Sequence, residues 1–167
     1  MFDRVVIGID PGLAATGLAV VARGEGGAAG VVSATTLRTS PDAPEAERLR
    51  SVFQAVAGSI REHHPEALAV ERLLWGRNVG SAMSVARASG VILLAAAEAG
   101  IEAFEYAPLE VKMAVSGDGS AGKAEVRRAL ARLHGVGDLP KEPDAADAVA
   151  VAVCHLQQSR ALREVAR

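Results

Sequence analysis

Two acidic residues follow short apolar runs, at positions where a strand would carry them at its tip. Asp10 comes directly after residues 5–9, and Glu71 comes directly after residues 67–70. Runs of this length and apolar character predict buried strands. A carboxylate at the tip of a buried strand is unfavourable unless another group pairs with it. Asp10 taken alone is equally compatible with a capped turn, in which its carboxylate accepts nearby backbone N–H groups.

A second acidic pair begins the last predicted helix. Asp144 and Asp147 are spaced i, i+3, so they share one face of that helix. In the first turn the helix dipole stabilises each carboxylate by roughly 0.3–1 kcal/mol, so helix capping is the alternative explanation of the pair. Asp147 precedes the apolar residues 148–153, and this context predicts that its side chain faces the interior.

Together, the four carboxylates predict a site for hard cations. The sequence offers them no obvious basic partners, and four clustered anions repel one another. Oxygen ligands of this kind select Mg²⁺ or Mn²⁺ over Zn²⁺. Two such ions roughly 3.5–4 Å apart activate a water and stabilise the leaving oxygen in phosphodiester hydrolysis. The acidic residues therefore predict a phosphodiesterase that uses two metal ions per subunit.

The elements that must position these acids follow one another in a definite order. Three strands form an antiparallel meander, and a helix leads to the fourth strand. A long helix separates that strand from the fifth, and three helices follow. The strands are predicted at 5–9, 18–22, 31–37, 67–70 and 102–106, and the later helices at 81–99, 108–115, 124–134 and from 144 onward. This order predicts an α/β fold with a mixed five-stranded sheet and helices on both faces.

Length and composition predict one domain in a reducing compartment. The chain has 167 residues, and we expect one domain over 1–158 and a basic, frayed tail over 159–167. No uncharged apolar run reaches the ~18 residues of a membrane span, and no secretory signal is visible. Cys154 is the single cysteine, so a cytoplasmic location is expected. The net charge of −2, which two divalent ions would change to +2, neither predicts nor excludes DNA binding.

The long helix over 81–99 predicts a subunit interface. Residues 91–97 are apolar all round, and such a segment is buried on more than one side. In a chain of this size the sheet covers one side, and we expect a second copy of the chain to cover the other. The sequence therefore predicts a homodimer, with Ile92 as a candidate position on the side that faces the partner.

Four groups of residues, in their order and spacing, resemble the RuvC family of Holliday junction resolvases. They are Gly8-Ile9-Asp10-Pro11-Gly12, Val70-Glu71-Arg72, Tyr106-Ala107 with Val111-Lys112, and Asp144-Ala145-Ala146-Asp147-Ala148. The resemblance covers nearly the whole chain. It implies a ribonuclease H-like fold, a homodimer, and nicks dependent on Mg²⁺ or Mn²⁺ in opposed strands of a four-way DNA junction during recombination and repair. The catalytic metal ligands that it implies are Asp10, Glu71, Asp144 and Asp147.

The resemblance also implies contacts with DNA phosphates and with partner proteins. It places Lys112 and Lys123 near the phosphates, although without the resemblance an ordinary solvated charge is the simpler explanation of each lysine. The family further implies that a branch-migration complex of RuvA and RuvB delivers the junction.

The loop after Glu71 departs from the family pattern. Leu74 stands where an aromatic residue commonly stacks near the crossover, and leucine cannot stack in that way. Trp75 follows and is a candidate replacement, since base–aromatic stacking contributes roughly 1–3 kcal/mol per base. The alternative is that Trp75 packs against the helix that begins near Ser81. Arg72, Arg77 and Asn78 give the same loop hydrogen-bonding capacity for DNA.

Two rival functions remain open at this point. Residues 117–123 match G-x-x-x-x-G-K, the beginning of a nucleotide-binding loop. Ala124 replaces the Ser or Thr that would hold magnesium, and no clear strand leads into the loop, so nucleotide hydrolysis is disfavoured. The second rival is a non-catalytic ribonuclease H-like module that binds DNA or a partner. The presence of all four acids argues against it.

Overall fold

The sheet has five strands among the described residues. The computed structural model describes residues 4–24, 27–73 and 79–165, except for the side chains of Val79 and of residues 160–165. The strands are β1 (Arg4–Asp10), β2 (Ala15–Arg23), β3 (Ala29–Arg38), β4 (Ala67–Glu71) and β5 (Glu102–Tyr106). Their order is β3-β2-β1-β4-β5. The first three pair antiparallel, whereas β4 is parallel to both β1 and β5, which confirms the predicted mixed sheet.

The helices fall close to their predicted positions. They are α1 (Glu45–His63), α2 (Val79–Glu98), α3 (Pro108–Ser116), α4 (Lys123–Leu133) and α5 (Pro143–Val165). The end of α1 is marked by His64, whose positive φ of 48° gives the helix a left-handed cap. Helix α5 continues to Val165, beyond the domain boundary expected at residue 158. The division of the chain into a domain and a tail stays a prediction.

Side chains of the central strands point alternately to the two faces of the sheet, and each face carries its own hydrophobic core. On β1, Ile7 and Ile9 point to the face covered by α1 and α2, whereas Val6 points to the face covered by α5. On β4, Leu68 and Val70 join the α1–α2 core. Both strands are therefore buried on two faces, which explains why they appear in the sequence as nearly continuous apolar runs.

Helix α5 packs unusually close to the sheet. A Cβ atom added at Gly8 would collide with the carbonyl oxygen of Ala148 and would lie 2.8 Å from Cβ of Ala152. The contact therefore requires glycine on β1 and small residues on α5. Because this contact leaves no room for a side chain between the two elements, α5 has a well-defined position over β1.

Helix α2 has one buried and one exposed face. Ile92 is 0% exposed and belongs to the α1–α2 core, so the expectation that it faces a partner is wrong. The exposed large side chains are Met83 and Leu94, at 47% and 51%. By length and composition alone, Gly80–Glu98 is the one helix of the described residues that could cross a membrane. The inner face of this helix packs in the α1–α2 core through Ile92, Ala95 and Ala96.

Candidate active site

The tips of two parallel strands bring the first two acids together. Asp10 is the last residue of β1 and Glu71 is the last residue of β4. The preceding residues, Ile9 and Val70, are register partners and both face the α1–α2 core. Because side chains alternate along a strand, Asp10 and Glu71 both point to the opposite face, where α5 lies.

Helix α5 brings the third carboxylate into the same pocket. Asp147 lines a pocket of about 290 Å³ together with Asp10 and Glu71. The lysines expected near DNA, Lys112 of α3 and Lys123 of α4, line the same pocket. Its apolar wall consists of Pro108, Val111, Val126 and Ala150. The structure therefore gathers three of the four predicted acids and both predicted lysines around one cavity.

Asp144 lies beside this pocket rather than on its lining. Its negative charge nevertheless reaches Asp10, because it contributes to the rise in the pKa of that carboxyl group. Asp144 is partly exposed in the first turn of α5, and the next two residues, Ala145 and Ala146, are buried. The other three predicted acids thus all lie within electrostatic range of Asp10.

The electrostatics of the pocket show an excess of negative charge. The pKa of Asp10 is raised to about 7, first by burial and then by the charges of Glu71, Asp147 and Asp144, against an opposing effect of Lys123. Burial also raises the pKa of Glu71, with Asp147 as the next cause, whereas Lys123 and Lys112 lower it. The two lysines therefore offset only part of the repulsion among the carboxylates.

Lys123 makes the closest charged contact in the pocket. Its Nζ lies 2.7 Å from Oδ2 of Asp147, within the range of a charge-assisted hydrogen bond. This hydrogen bond raises the pKa of Lys123, so the ammonium stays charged. Within the described part of the chain, the ammonium of Lys112 forms no ion pair. The two lysines line one pocket but differ in this contact.

The donor set fits a hard divalent cation. Carboxylate oxygens are the ligands that Mg²⁺ and Mn²⁺ prefer, and the repulsion that raises the pKa of Asp10 is what such a cation would relieve. Among the described residues, no group of three Asp, Glu, His or Cys side chains is already arranged around one ion position. The carboxylates share the pocket and a lysine neutralises one of them.

The described part of the loop after Glu71 is held by β5 and α3. The backbone N–H of Arg72 donates to the carbonyl oxygen of Tyr106 at 2.7 Å. The half-exposed guanidinium of Arg72 lies 3.8 Å from Oε2 of Glu110. The remaining residues predicted to contact DNA, Leu74, Trp75, Arg77 and Asn78, lie outside the described residues. Their roles stay predictions.

Two supporting contacts were not anticipated from the sequence. Glu110 accepts the backbone N–H of Ala107 at 2.7 Å, which caps the helix that carries Lys112. The hydroxyl of Tyr106 and Nδ1 of His155 are hydrogen-bonded at 2.8 Å, and this buried contact ties the tip of β5 to α5. A histidine at the end of the apolar stretch of α5 is the sequence signal that could have indicated the second contact.

The loop at 117–123 does not have the setting of a nucleotide-binding loop. Helix α3, not a strand, leads into it through Gly117, whose φ of 76° ends that helix. Lys123 is already the first residue of α4. A nucleotide-binding loop requires a strand before the glycines, so nucleotide hydrolysis at this loop is excluded as an explanation of the motif.

The strand order and the acids at the tips of β1 and β4 and at the start of α5 define a ribonuclease H-like nuclease domain. A family model described as "Crossover junction endodeoxyribonuclease RuvC" matches residues 6–155. The chain belongs to this family of endonucleases. The RuvC of Corynebacterium jeikeium (strain K411) is 45% identical over 149 residues, which cover 89% of this chain and 91% of that protein. The RuvC of Pelotomaculum thermopropionicum is 40% identical over 151 residues, or 90% and 92% of the two chains.

Two solved structures support the same assignment. The Thermus thermophilus RuvC structure is 37% identical and superposes with a TM-score of 0.86, covering 94% of this chain and 96% of that one. T. thermophilus RuvC in complex with a Holliday junction substrate is 36% identical and has a TM-score of 0.88, with coverage of 95% and 96%. The predicted ribonuclease H-like fold and family are thereby confirmed.

Proposed function

We propose that this endonuclease resolves four-way DNA junctions by paired, metal-dependent nicks in opposed strands during recombination and repair. The observation that carries the proposal is the pocket in which Asp10, Glu71 and Asp147 meet Lys112 and Lys123. Carboxylates alone would repel a DNA phosphate, whereas carboxylates with divalent ions and two lysines attract one. The solved complex of the related T. thermophilus protein with a Holliday junction supports this choice of substrate.

The cofactor in this proposal is Mg²⁺ or Mn²⁺, with two ions per subunit held by Asp10, Glu71, Asp144 and Asp147. When bound, the ions supply an activated water and a counter-charge for the leaving oxygen. Burial of Asp10 and Glu71 limits competing hydration of their carboxylates. Lys112 and Lys123 hold the phosphate chain at the pocket, and the rigid tips of β1 and β4 keep the acids at a constant spacing.

Symmetry favours a homodimer. A four-way junction has near two-fold symmetry and one pocket accommodates one scissile phosphate, so paired nicking requires two subunits. The outer face of α2 offers an isologous surface, since Met83, Gly90, Leu94 and Ala97 are all exposed and lie on one side of the helix. This face is the partner surface that we assign in place of Ile92.

Other contacts complete the proposal. The loop that contains Arg72, Leu74, Trp75, Arg77 and Asn78 would approach the crossover, where Trp75 is the candidate for stacking on a base. A branch-migration complex of RuvA and RuvB, expected from the family, would deliver the junction in the cytoplasm. The alternative is a ribonuclease H-like module that binds DNA or a partner without cleaving it.

The test is cleavage of a synthetic four-way junction with and without Mg²⁺ or Mn²⁺. We expect metal-dependent nicks in two opposed strands and little cleavage of linear duplex of the same sequence. Varying the sequence at a mobile crossover, in each metal in turn, would reveal the cutting preference. Tight junction binding without nicking in either metal would support the non-catalytic module instead.

A further inference from the structure

Lys123 occupies a fixed position at the edge of the acidic pocket. It is the first residue of α4, and the turn before it is capped by a hydrogen bond from the backbone N–H of Gly122 to Oε2 of Glu125 at 2.7 Å. Its Nζ lies 2.7 Å from Oδ2 of Asp147, a residue 24 positions later in the sequence. The backbone of Lys123 belongs to a capped helix, but its side chain is 74% exposed. Lys123 can therefore rotate away from Asp147 without any change in the backbone.

The contact is held by a weak and replaceable interaction. Ion pairs between an exposed lysine and a carboxylate contribute little, because solvent screens the charges and the side chain loses rotamer freedom. A divalent ion on the same carboxylate would interact far more strongly than one ammonium group and would repel Nζ at this distance. The oxygen that Lys123 holds is one that a metal ion in this pocket would need.

We infer that Lys123 sets the metal affinity of the site by holding Asp147 in the metal-free enzyme and leaving it when a divalent ion binds. This inference rests on the proposed function only in requiring that a metal ion binds among these acids. Once released, Lys123 still lines the pocket, where it is available to a DNA phosphate. Metal binding would thereby make the ammonium group of Lys123 available to the DNA.

Lys112 provides a matched control for this role. It lines the same pocket, carries the same charge and lowers the pKa of Glu71 through that charge, yet it makes no ion pair within the described residues. Removal of either lysine changes the net charge of the pocket equally. Only removal of Lys123 frees Asp147 from a hydrogen bond.

The first experiment measures Mn²⁺ binding to the DNA-free protein by isothermal titration calorimetry, with Lys123→Met and Lys112→Met compared. We expect Lys123→Met to tighten Mn²⁺ binding more than Lys112→Met does, by about two- to fivefold, the range expected for an exposed ion pair. Equal tightening in both variants would mean that only net charge matters and would overturn the inference. Unchanged or weaker binding in Lys123→Met would also overturn it.

The second experiment uses the wild-type protein, so it does not depend on the folding of a variant. The ammonium signals of the lysines are followed by NMR during Mg²⁺ titration, with Lys123 assigned by its loss in Lys123→Met. We expect the Lys123 signal to change with the same midpoint as metal binding. If Mg²⁺ binds and that signal does not change, the inference fails while the metal site stands. If no ion binds the DNA-free protein but junctions are still nicked in Mg²⁺, the inference fails and the proposed function stands. If no ion binds and junctions are not nicked either, both fail.

Discussion

Gly17 of β2 lies directly beneath the backbone carbonyl of Asp144, so that a Cβ atom added at Gly17 would collide with the carbonyl oxygen. The first turn of α5 therefore rests on the backbone of the sheet with no side chain between them. Asp144 is part of this turn and Asp147 follows one helical turn later. The position of these two acids relative to Asp10 depends on a glycine that carries no chemistry of its own.

We predict that Gly17→Ala destabilises the protein and impairs cleavage. The added methyl group must displace α5 or β2, and overpacking of this kind typically lowers the free energy of unfolding by about 1–3 kcal/mol. Gly58→Ala is the control, because its Cβ would meet only the end of the Arg61 side chain at 3.9 Å within α1. That change should be neutral or stabilising by about 0.5–1 kcal/mol. Urea unfolding of both variants would settle the prediction, and equal stability would contradict it.

Asp10→Asn should abolish cleavage and retain junction binding. Removal of a residue that supports a metal ligand can lower activity by roughly 100-fold. Removal of Asp10, a proposed ligand itself, should lower the cleavage rate by at least as much. Junction affinity should be unchanged or slightly higher, because phosphate contacts dominate binding and one repelling charge has been removed. Asp42→Asn, in an exposed turn, serves as the control. Normal nicking by Asp10→Asn would contradict the assignment of the site.

The stability of the metal-free protein should fall as pH rises from about 4 to about 7. Asp10 has a pKa raised from 3.8 to about 7, so the folded state holds a proton over this range that the unfolded state has released. Deprotonation therefore favours unfolding, by about 1.4 kcal/mol for each pKa unit that the shift spans. Urea unfolding in the presence of a chelator would measure this slope. The free energy of unfolding should depend less on pH in Asp10→Asn than in the wild-type protein. An equal pH dependence in the two proteins would contradict the raised pKa of Asp10.

Lys112→Ala and Lys123→Ala should each weaken junction binding and reduce its salt dependence. Each lost phosphate contact lowers the slope of log affinity against log salt concentration by about one unit. Arg61→Ala is a suitable control, since Arg61 is exposed near the end of α1, on the other face of the sheet. Binding titrations at several salt concentrations would test this. Slopes like that of the wild-type protein would show that the two lysines are ordinary surface charges.

Leu94→Asp should give folded monomers. Leu94 is 51% exposed on the outer face of α2, so a carboxylate there is tolerated in the monomer but disrupts an apolar dimer interface. Leu133→Asp is the matched control, because Leu133 is 67% exposed at the end of α4. Sedimentation at micromolar concentration, together with the nicking pattern, would measure the effect. A wild-type monomer that still makes paired nicks would indicate assembly on the DNA instead.

The sequence by itself determined the elements and the identity of the acids. Alternation and helical spacing are local patterns, so the five strands and the tips that carry Asp10 and Glu71 could be predicted without knowing the packing. The i, i+3 spacing placed Asp144 and Asp147 on one helical face for the same reason. The order of these motifs was sufficient to indicate the family.

Only the tertiary structure decided which side chains meet across the chain. An apolar stretch such as 91–97 contains no local signal of which side faces the sheet, so the pattern cannot distinguish the buried Ile92 from the exposed Leu94. The contact between Lys123 and Asp147, and that between Tyr106 and His155, join residues far apart in sequence. Such contacts depend on how closely α5 approaches β1 and β2. That distance is set by backbone packing over Gly8 and Gly17, which no periodic pattern encodes.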